Sequence, residues 1–318
     1  MMHAMKSIVT LTLNPAIDAG YEVDRVVPTT KVRTLSESYD PGGGGINVSR
    51  VVARLGGTAR ALYLAGGAMG TALEGLLDMH EMVHTRFDIG GNTRMSANVH
   101  ERESGKQYRF VPPGPTVTEP EWQSCLASLN DFPCDFLVAS GSLPPGVPPD
   151  FYSRVKAIIG ASGTRLVLDT SGPALRECLE GGGVFLVKPS LLELQQLVGR
   201  TLDGVDAIAA AAATIVRQRQ AVFVAVTMGN KGALLARDAG TLYLPAVAVE
   251  AKSAVGAGDS FLAAMTFALA SGWDVVESFR YGIAAGTAAV LSPGTGLCQL
   301  QDVERMHAMV ATPLQSED

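Results

Sequence analysis

The chain has 318 residues, 47% hydrophobic and 18% charged, which is enough apolar material for a large core and unlike the composition of a disordered segment. Its formal net charge is −6 and its basic residues are scattered, which argues against a nucleic acid or an anionic membrane as the main partner. No apolar run approaches the roughly 18 residues that a spanning helix needs. The opening MMHAMKSIVTLTLNPAID has no extended basic stretch before its short apolar run. A cytoplasmic protein is therefore expected, with one main domain over 1–318 and a small appendage.

Strand-like apolar runs stand at 7–13, 61–65, 136–140, 165–169, 184–188 and 221–227. Helical patterns lie between and after them: INVSRVVARLG from 46, TALEGLLDMHEM ending near 82, the segment from Pro149 to Ile159, SLLELQQLV from 190, an alanine-rich stretch at 206–219, and FLAAMTFALA from 261. Nearly continuous apolar strands separated by helices predict an α/β fold with a doubly wound, mainly parallel sheet. Two segments break this rhythm. Residues 18–38 and 92–111 are polar with period-two alternation, and Ser104-Gly105 forms a turn in the second. They are predicted as strands outside the main sheet, a small β lid or an association surface.

Ligands of such sheets gather at the C-terminal strand ends, where Asn14-Pro15, Ser140 to Ser142, Asp169, Lys188 to Ser190 and Thr227 to Gly229 all fall. Ala254 to Ser260 reads AVGAGDS ahead of an apolar helix, so a glycine turn aims free N–H groups at one point with the Asp259 carboxylate beside it. Such a turn suits phosphoryl transfer, although a plain N-capped glycine turn has the same letters. Gly42 to Gly45 strip side chains from the start of a helix, and Asn47 projects from its first turn. No acidic residue follows within 48–73, which disfavours a nicotinamide dinucleotide, and no GxxxxGK[ST] run is present. His80 to His84 matches HExxH, but the helix pattern ends near 82 and the residues beyond alternate, so the two histidines are not expected to converge on zinc. Four scattered cysteines offer no CxxC pair and are read as reduced thiols.

In order and spacing, LTLNPAID, PGGGGINVSR, GSLPPGV, VKPSLLEL, TMGNKGAL and AVGAGDS resemble the ribokinase (PfkB) family of sugar kinases over nearly the whole chain. Within it, GGGGIN, GSLPPGV, GKQYRFVPPG and GTGLC look most like the bacterial type 2 6-phosphofructokinases. Tagatose-6-phosphate and fructose-1-phosphate kinases of the family often carry a lysine within the run where this chain has Gly43-Gly44-Gly45.

The resemblance implies ATP-dependent phosphorylation of fructose 6-phosphate at O1, with Asp259 as base and the N–H groups of Gly256, Ala257, Gly258 and Asp259 as anion hole. It implies Asp18, Gly43, Gly44 and Asn47 for the sugar hydroxyls, and Arg94, Ser142 and Lys31 for the substrate phosphate. Lys188, Thr227, Gly229 and Gly232 match ATP contacts, and Ser190 stands where the family has the asparagine of Asn-x-x-Glu. Glu193 matches the acid that acts on Mg²⁺ through water, and Ser253, Val255, Ala289, Ser292 and Gly294 match a K⁺ site. A homodimer through the lid strands is also implied. The alternatives are a tagatose-6-phosphate or 1-phosphofructokinase and, given Ser190, a sugar-phosphate-binding regulator without catalysis.

Overall fold

The computed structural model describes residues 5–312, so residues 1–4, which bear on the N-terminal reading, lie outside the described residues. The chain opens with β1 (Ile8–Thr12), β2 (Ala16–Val23), β3 (Ser36–Gly42), α1 (Gly44–Arg54), β4 (Ala59–Ala65) and α2 (Gly67–Met79). It continues with β5 (Val83–Asp88), β6 (Arg94–Glu101), β7 (Gln107–Phe110), α3 (Glu119–Ser128), β8 (Phe136–Ser140), α4 (Phe151–Gly160), β9 (Arg165–Asp169) and α5 (Gly172–Glu180). Then come β10 (Val184–Val187), α6 (Leu191–Val198), α7 (Gly204–Arg217), β11 (Ala221–Thr227), β12 (Ala233–Arg237) and β13 (Gly240–Leu244). Helices α8 (Ala257–Ala270), α9 (Val275–Ala289) and α10 (Leu300–His307) complete it.

Nine strands form one sheet in the order β13-β12-β11-β10-β9-β8-β1-β4-β5, parallel from β11 to β5. The alternation of Cβ direction along each strand feeds two apolar layers. On β8, Phe136 and Val138 face the layer with α1, α8, α9 and α10, while Leu137 and Ala139 face the layer with α3 to α7. Both faces of the sheet are therefore covered, which is why its strands read as unbroken apolar runs. Every residue of β1, an interior strand between β8 and β4, is buried. This is the doubly wound α/β architecture expected from the alternation of runs.

The antiparallel hairpin β12–β13 at one edge was not anticipated. Its residues, ALLAR and GTLYL, are short and joined across Asp238 and Ala239, which leaves little apolar pattern to recognise.

A second sheet, β3-β2-β6-β7, lies apart from the first. Its strands differ from the predicted segments. Strand character does not run through 18–38, because residues 24–35 form an exposed connection around Pro28, and β3 continues instead to Gly42. Pro28 has no N–H to give to a ladder, so the chain turns there. β2 and β6 pair in parallel, setting Ala16 opposite Arg94 and Asp18 opposite Ser96. That register carries Asp18 and Arg94 to the same end of the small sheet. Among the described residues, no helix is long and apolar enough to cross a membrane.

Candidate active site

The turn at 254–258 is built by conformation as much as by chemistry. Gly256 has φ +74, and a Cβ there would lie 2.6 Å from Leu297 Cδ2, so only glycine fits without strain. The turn opens α8, whose first residues are Ala257, Gly258 and Asp259. Their N–H groups have no partner further back in the helix, and the helix dipole adds to the positive potential there. Asp259 Oδ2 accepts a hydrogen bond of 2.8 Å from Asn47 Nδ2 on α1. Burial raises the Asp259 carboxyl above the usual carboxylate range, while the Asn47 bond and the Lys188 ammonium oppose that rise.

Two cavities border this turn. The smaller, of about 270 Å³, lies between the lid and the C-terminal ends of β8 and β9. Asp18, Arg94, Ser96 and Arg109 line it from the lid side, and Gly43, Gly44 and Asn47 from the start of α1. Ser142, Asp169, Glu193, Val255, Gly256 and Asp259 close it from below. The larger, of about 610 Å³, is walled by Thr227, Gly229, Gly232, Val247, Ala257, Gly258, Ile283 and Gly286, among others. Gly256 and Asp259 face the first cavity, and Ala257 and Gly258 face the second.

The charged groups hold one another in place. Arg94 donates to the main-chain carbonyls of Pro112 (2.8 Å), Asn14 (2.8 Å) and Pro15 (3.4 Å), which fixes its guanidinium at the cavity edge. Asp18 is raised by burial against the pull of Arg109 and Arg94. It rests on the backbone of Gly42, where any Cβ would collide with its carboxylate. Ser142 Oγ accepts from Asn14 Nδ2 at 3.2 Å.

Lys188 is buried and its ammonium lies 3.1 Å from Asp169. Burial disfavours that charge, but Asp169, Asp259 and Glu193 outweigh it and raise the lysine. Asp169 is itself pushed upward by burial, against Lys188 and with the repulsion of Asp259 and Glu193. A Cβ on Gly258 would lie 3.4 Å from Lys188 Nζ, so the ammonium sits directly beneath the α8 turn.

Other expected residues are placed differently. Lys31 lies in the exposed connection of the lid and does not line the cavity, because the chain there follows the hairpin away from the sheet. Ser190 lines neither cavity; it caps α6, its N–H donating to Glu193 Oε2 at 2.7 Å and its Oγ accepting from Glu193 N at 3.3 Å. One Glu193 oxygen is thus used by the capping box.

The five positions matched to a K⁺ site lie on two adjoining segments. Ser253 Oγ donates to Gly294 O at 2.7 Å and accepts from Val255 N, while Ser292 N bonds Ala289 O at 3.1 Å. The histidines of HExxH part company: His80 ends α2, whereas His84 is on β5, 2.9 Å from Asp78.

Arg109 and Asp169 join the smaller cavity without having been assigned a role. Asp169 was signalled by its place at the end of an apolar strand. Arg109 offered only one charge in an alternating segment, and nothing in the letters said which face of β7 looks inward.

Comparison with known proteins adds to this geometry. The chain matches pfkB family carbohydrate kinase over residues 9–302. It is 45% identical over 308 residues to ATP-dependent 6-phosphofructokinase isozyme 2 of Mycobacterium tuberculosis, covering 96% of this chain and 90% of that one. It is 31% identical to a D-tagatose-1-phosphate kinase of Bacillus licheniformis, over 91% of this chain and 94% of that one.

The phosphofructokinase-2 of Escherichia coli, solved in complex with potassium, superposes with a TM-score of 0.92 at 38% identity, over 96% of this chain and 99% of that one. Its complex with fructose-6-phosphate gives 0.91 at 37% identity, over 97% and 100%. Its tetrameric inhibited form gives 0.90 at 38%, over 96% and 99%. That tetramer overturns the expectation of a homodimer. Alternating lid strands report an uncovered strand face, but they carry no information on how many subunits assemble. With the ordered motifs, the two cavities at the α8 turn and these matches together, the chain belongs to the pfkB family of carbohydrate kinases.

Proposed function

We propose that the protein transfers the γ-phosphoryl group of ATP to the C1 hydroxyl of fructose 6-phosphate, giving fructose 1,6-bisphosphate and ADP. The observation that carries this reading is the position of Asp259 in the charged cavity, in the first turn of α8, whose neighbouring Ala257 and Gly258 line the second, largely apolar cavity. The names of the similar 6-phosphofructokinases support the choice of sugar.

In this reading the sugar phosphate occupies the 270 Å³ cavity and the nucleotide the 610 Å³ cavity. Asp18 and Asn47, with the backbone at Gly43 and Gly44, take the sugar hydroxyls. Arg94, Arg109 and Ser142 take its phosphate, because guanidinium forks suit a phosphate dianion. Lys31 takes no part within this chain. Thr227, Gly229 and Gly232 flank the nucleotide. Asp259 accepts the C1 hydroxyl proton as that oxygen attacks phosphorus and the bond to the ADP oxygen breaks. The N–H groups of Gly256 to Asp259, reinforced by Lys188 below, stabilise charge on the transferring group.

Glu193, on the wall of the smaller cavity, would act on Mg²⁺ with ATP through water, as suits a hard and reluctantly dehydrated ion. Such an ion would supply charge neutralisation for the phosphates. Ser253, Val255, Ala289, Ser292 and Gly294 form our candidate segment for K⁺, supported by the potassium complex of the similar enzyme. We place the reaction in the cytoplasm, in keeping with four unpaired cysteines.

The test is kcat/KM for fructose 6-phosphate, fructose 1-phosphate and tagatose 6-phosphate with ATP. A large preference for either of the latter two overturns the choice of sugar. Tight sugar binding without turnover overturns the kinase reading.

A further inference from the structure

The hydrogen bonds around Asn47 extend beyond the sugar cavity. Because Asn47 Nδ2 donates to Asp259, its Oδ1 must be turned the other way. An amide has no strong preference between its two orientations, and the surrounding donors and acceptors decide. The group facing Oδ1 is Arg50, one turn further along α1, with Nη1 at 3.5 Å. A guanidinium can only donate, so it excludes the flipped amide, which would set two donors against each other.

Arg50 is buried and is itself held. Nη1 donates to Pro41 O at 2.9 Å, and Nη2 donates to Asp40 Oδ1 at 2.7 Å. The second oxygen of Asp40 accepts from Thr295 Oγ1 at 2.7 Å. Asp40 lies on β3 directly opposite Asp18. A continuous chain of bonds therefore runs from Asp259 through Asn47 and Arg50 to the lid and to the loop after α9.

We propose that Asp40 and Arg50 are positioning residues for phosphoryl transfer: the guanidinium, neutralised and aimed by Asp40, keeps Asn47 in the orientation that donates to Asp259. This rests on Asp259 being the base. Without the pair, Asn47 is free to turn its oxygen toward the carboxylate, and the hydrogen bond that favours the charged carboxylate disappears. Asp259 then holds its proton to higher pH, and the acid limb of turnover moves up.

The other charged groups around the network allow the sign to be read. Lys188, Asp18 and Arg109 face Asp259. Arg50 and Asp18 face Asp40, and His80 Nε2 is 3.9 Å away; Arg54 lies near Arg50. Removing the Asp40 charge by itself makes a carboxylate elsewhere easier to ionise, which lowers the limb. An upward shift is therefore the signature of lost orientation.

The experiment uses intact Asp40→Asn and Arg50→Lys proteins, recording kcat against pH and titrating the Asp259 carboxyl by ¹³C NMR without substrates. Both readouts are expected to move upward by about half a pH unit or more, the scale of one hydrogen bond to a carboxylate. Should Asp40→Asn not fold, Arg50→Lys carries the test. Thr295→Val, which removes one bond to Asp40, is a milder variant expected to shift the same way by less. An unmoved or lowered Asp259 titration in a folded Asp40→Asn or Arg50→Lys protein overturns the proposal, whatever its melting temperature, since a merely structural pair would change stability alone. The underlying assignment fails separately: near-normal turnover in Asp259→Asn removes the base, and this proposal falls with it.

Discussion

The two cavities that border the α8 turn are built on opposite plans. The smaller gathers four carboxylates, Asp18, Asp169, Glu193 and Asp259, with two guanidiniums, Arg94 and Arg109. The larger is walled mostly by glycine, alanine, valine and isoleucine, with backbone at its edge. In the proposed assignment the charged cavity takes the sugar phosphate, whose directional hydroxyls and dianion call for charged side chains held by further bonds. The apolar cavity is then left for the nucleotide, whose adenine ring has faces to cover. Discrimination is therefore expected to be steep on the sugar side and shallow on the nucleotide side.

The largest test of this contrast is Asp259→Asn. Turnover is expected to fall by about 10³-fold, within the range for loss of a positioned base, while sugar-phosphate binding by calorimetry changes little. Retained turnover would remove the chemistry from the α8 turn.

Arg109→Met comes next. Losing one charge-assisted bond is expected to raise KM for the sugar phosphate by about 30-fold with KM for ATP unchanged. Equal changes in both constants would mean that the cavities are not separate recognition sites. On the nucleotide side, Val247→Ala is expected to raise KM for ATP only about 3-fold, by trimming apolar contact, and to leave the sugar constant alone.

Gly256→Ala tests the turn both cavities share. The left-handed backbone and the Leu297 contact are expected to cost about 1–2 kcal/mol by denaturant unfolding, with kcat falling whichever substrate is varied.

The smallest effect concerns pH. Burial raises the carboxyl of Asp259 in the folded protein, so the acid limb of kcat should lie above the ordinary carboxylate range. The same shift has a stability sign. A carboxyl raised on folding adds stability below its unfolded pKa, and that contribution is lost as pH rises through the folded value. Unliganded Asp259→Asn is therefore expected to melt higher than the wild type at neutral pH, with the gap closing in acid. A lower melting point at pH 7 would show that the charge is better accommodated than its burial implies.

The charged cavity was largely legible from the letters, and the apolar one was not. Asp18, Asn47, Ser142 and Asp259 stand in recognisable motifs and, with Arg94 of the alternating segment 92–111, meet in one cavity. Val247, Ile283 and Gly286 reach the other from a loop and from α9, and each looks like an ordinary core residue. Lys31, implied by the resemblance outside any of the ordered motifs, lies on an exposed connection in space.

The sequence by itself determined the α/β layering, because strands covered on both faces must be apolar throughout and helices between them must be amphipathic. It also determined the turn at 254–260, because a left-handed turn beside a carboxylate calls for glycine and Asp at fixed spacing. Only the tertiary structure decided which polar groups meet: Lys188 with Asp169 and Arg50 with Asp40 as ion pairs, and Asn47 with Asp259 as a hydrogen bond across an interval of 212 residues. Local pattern records which way a side chain leaves its own strand or helix. Which distant group it meets depends on how the elements are stacked, and that is a property of the whole fold.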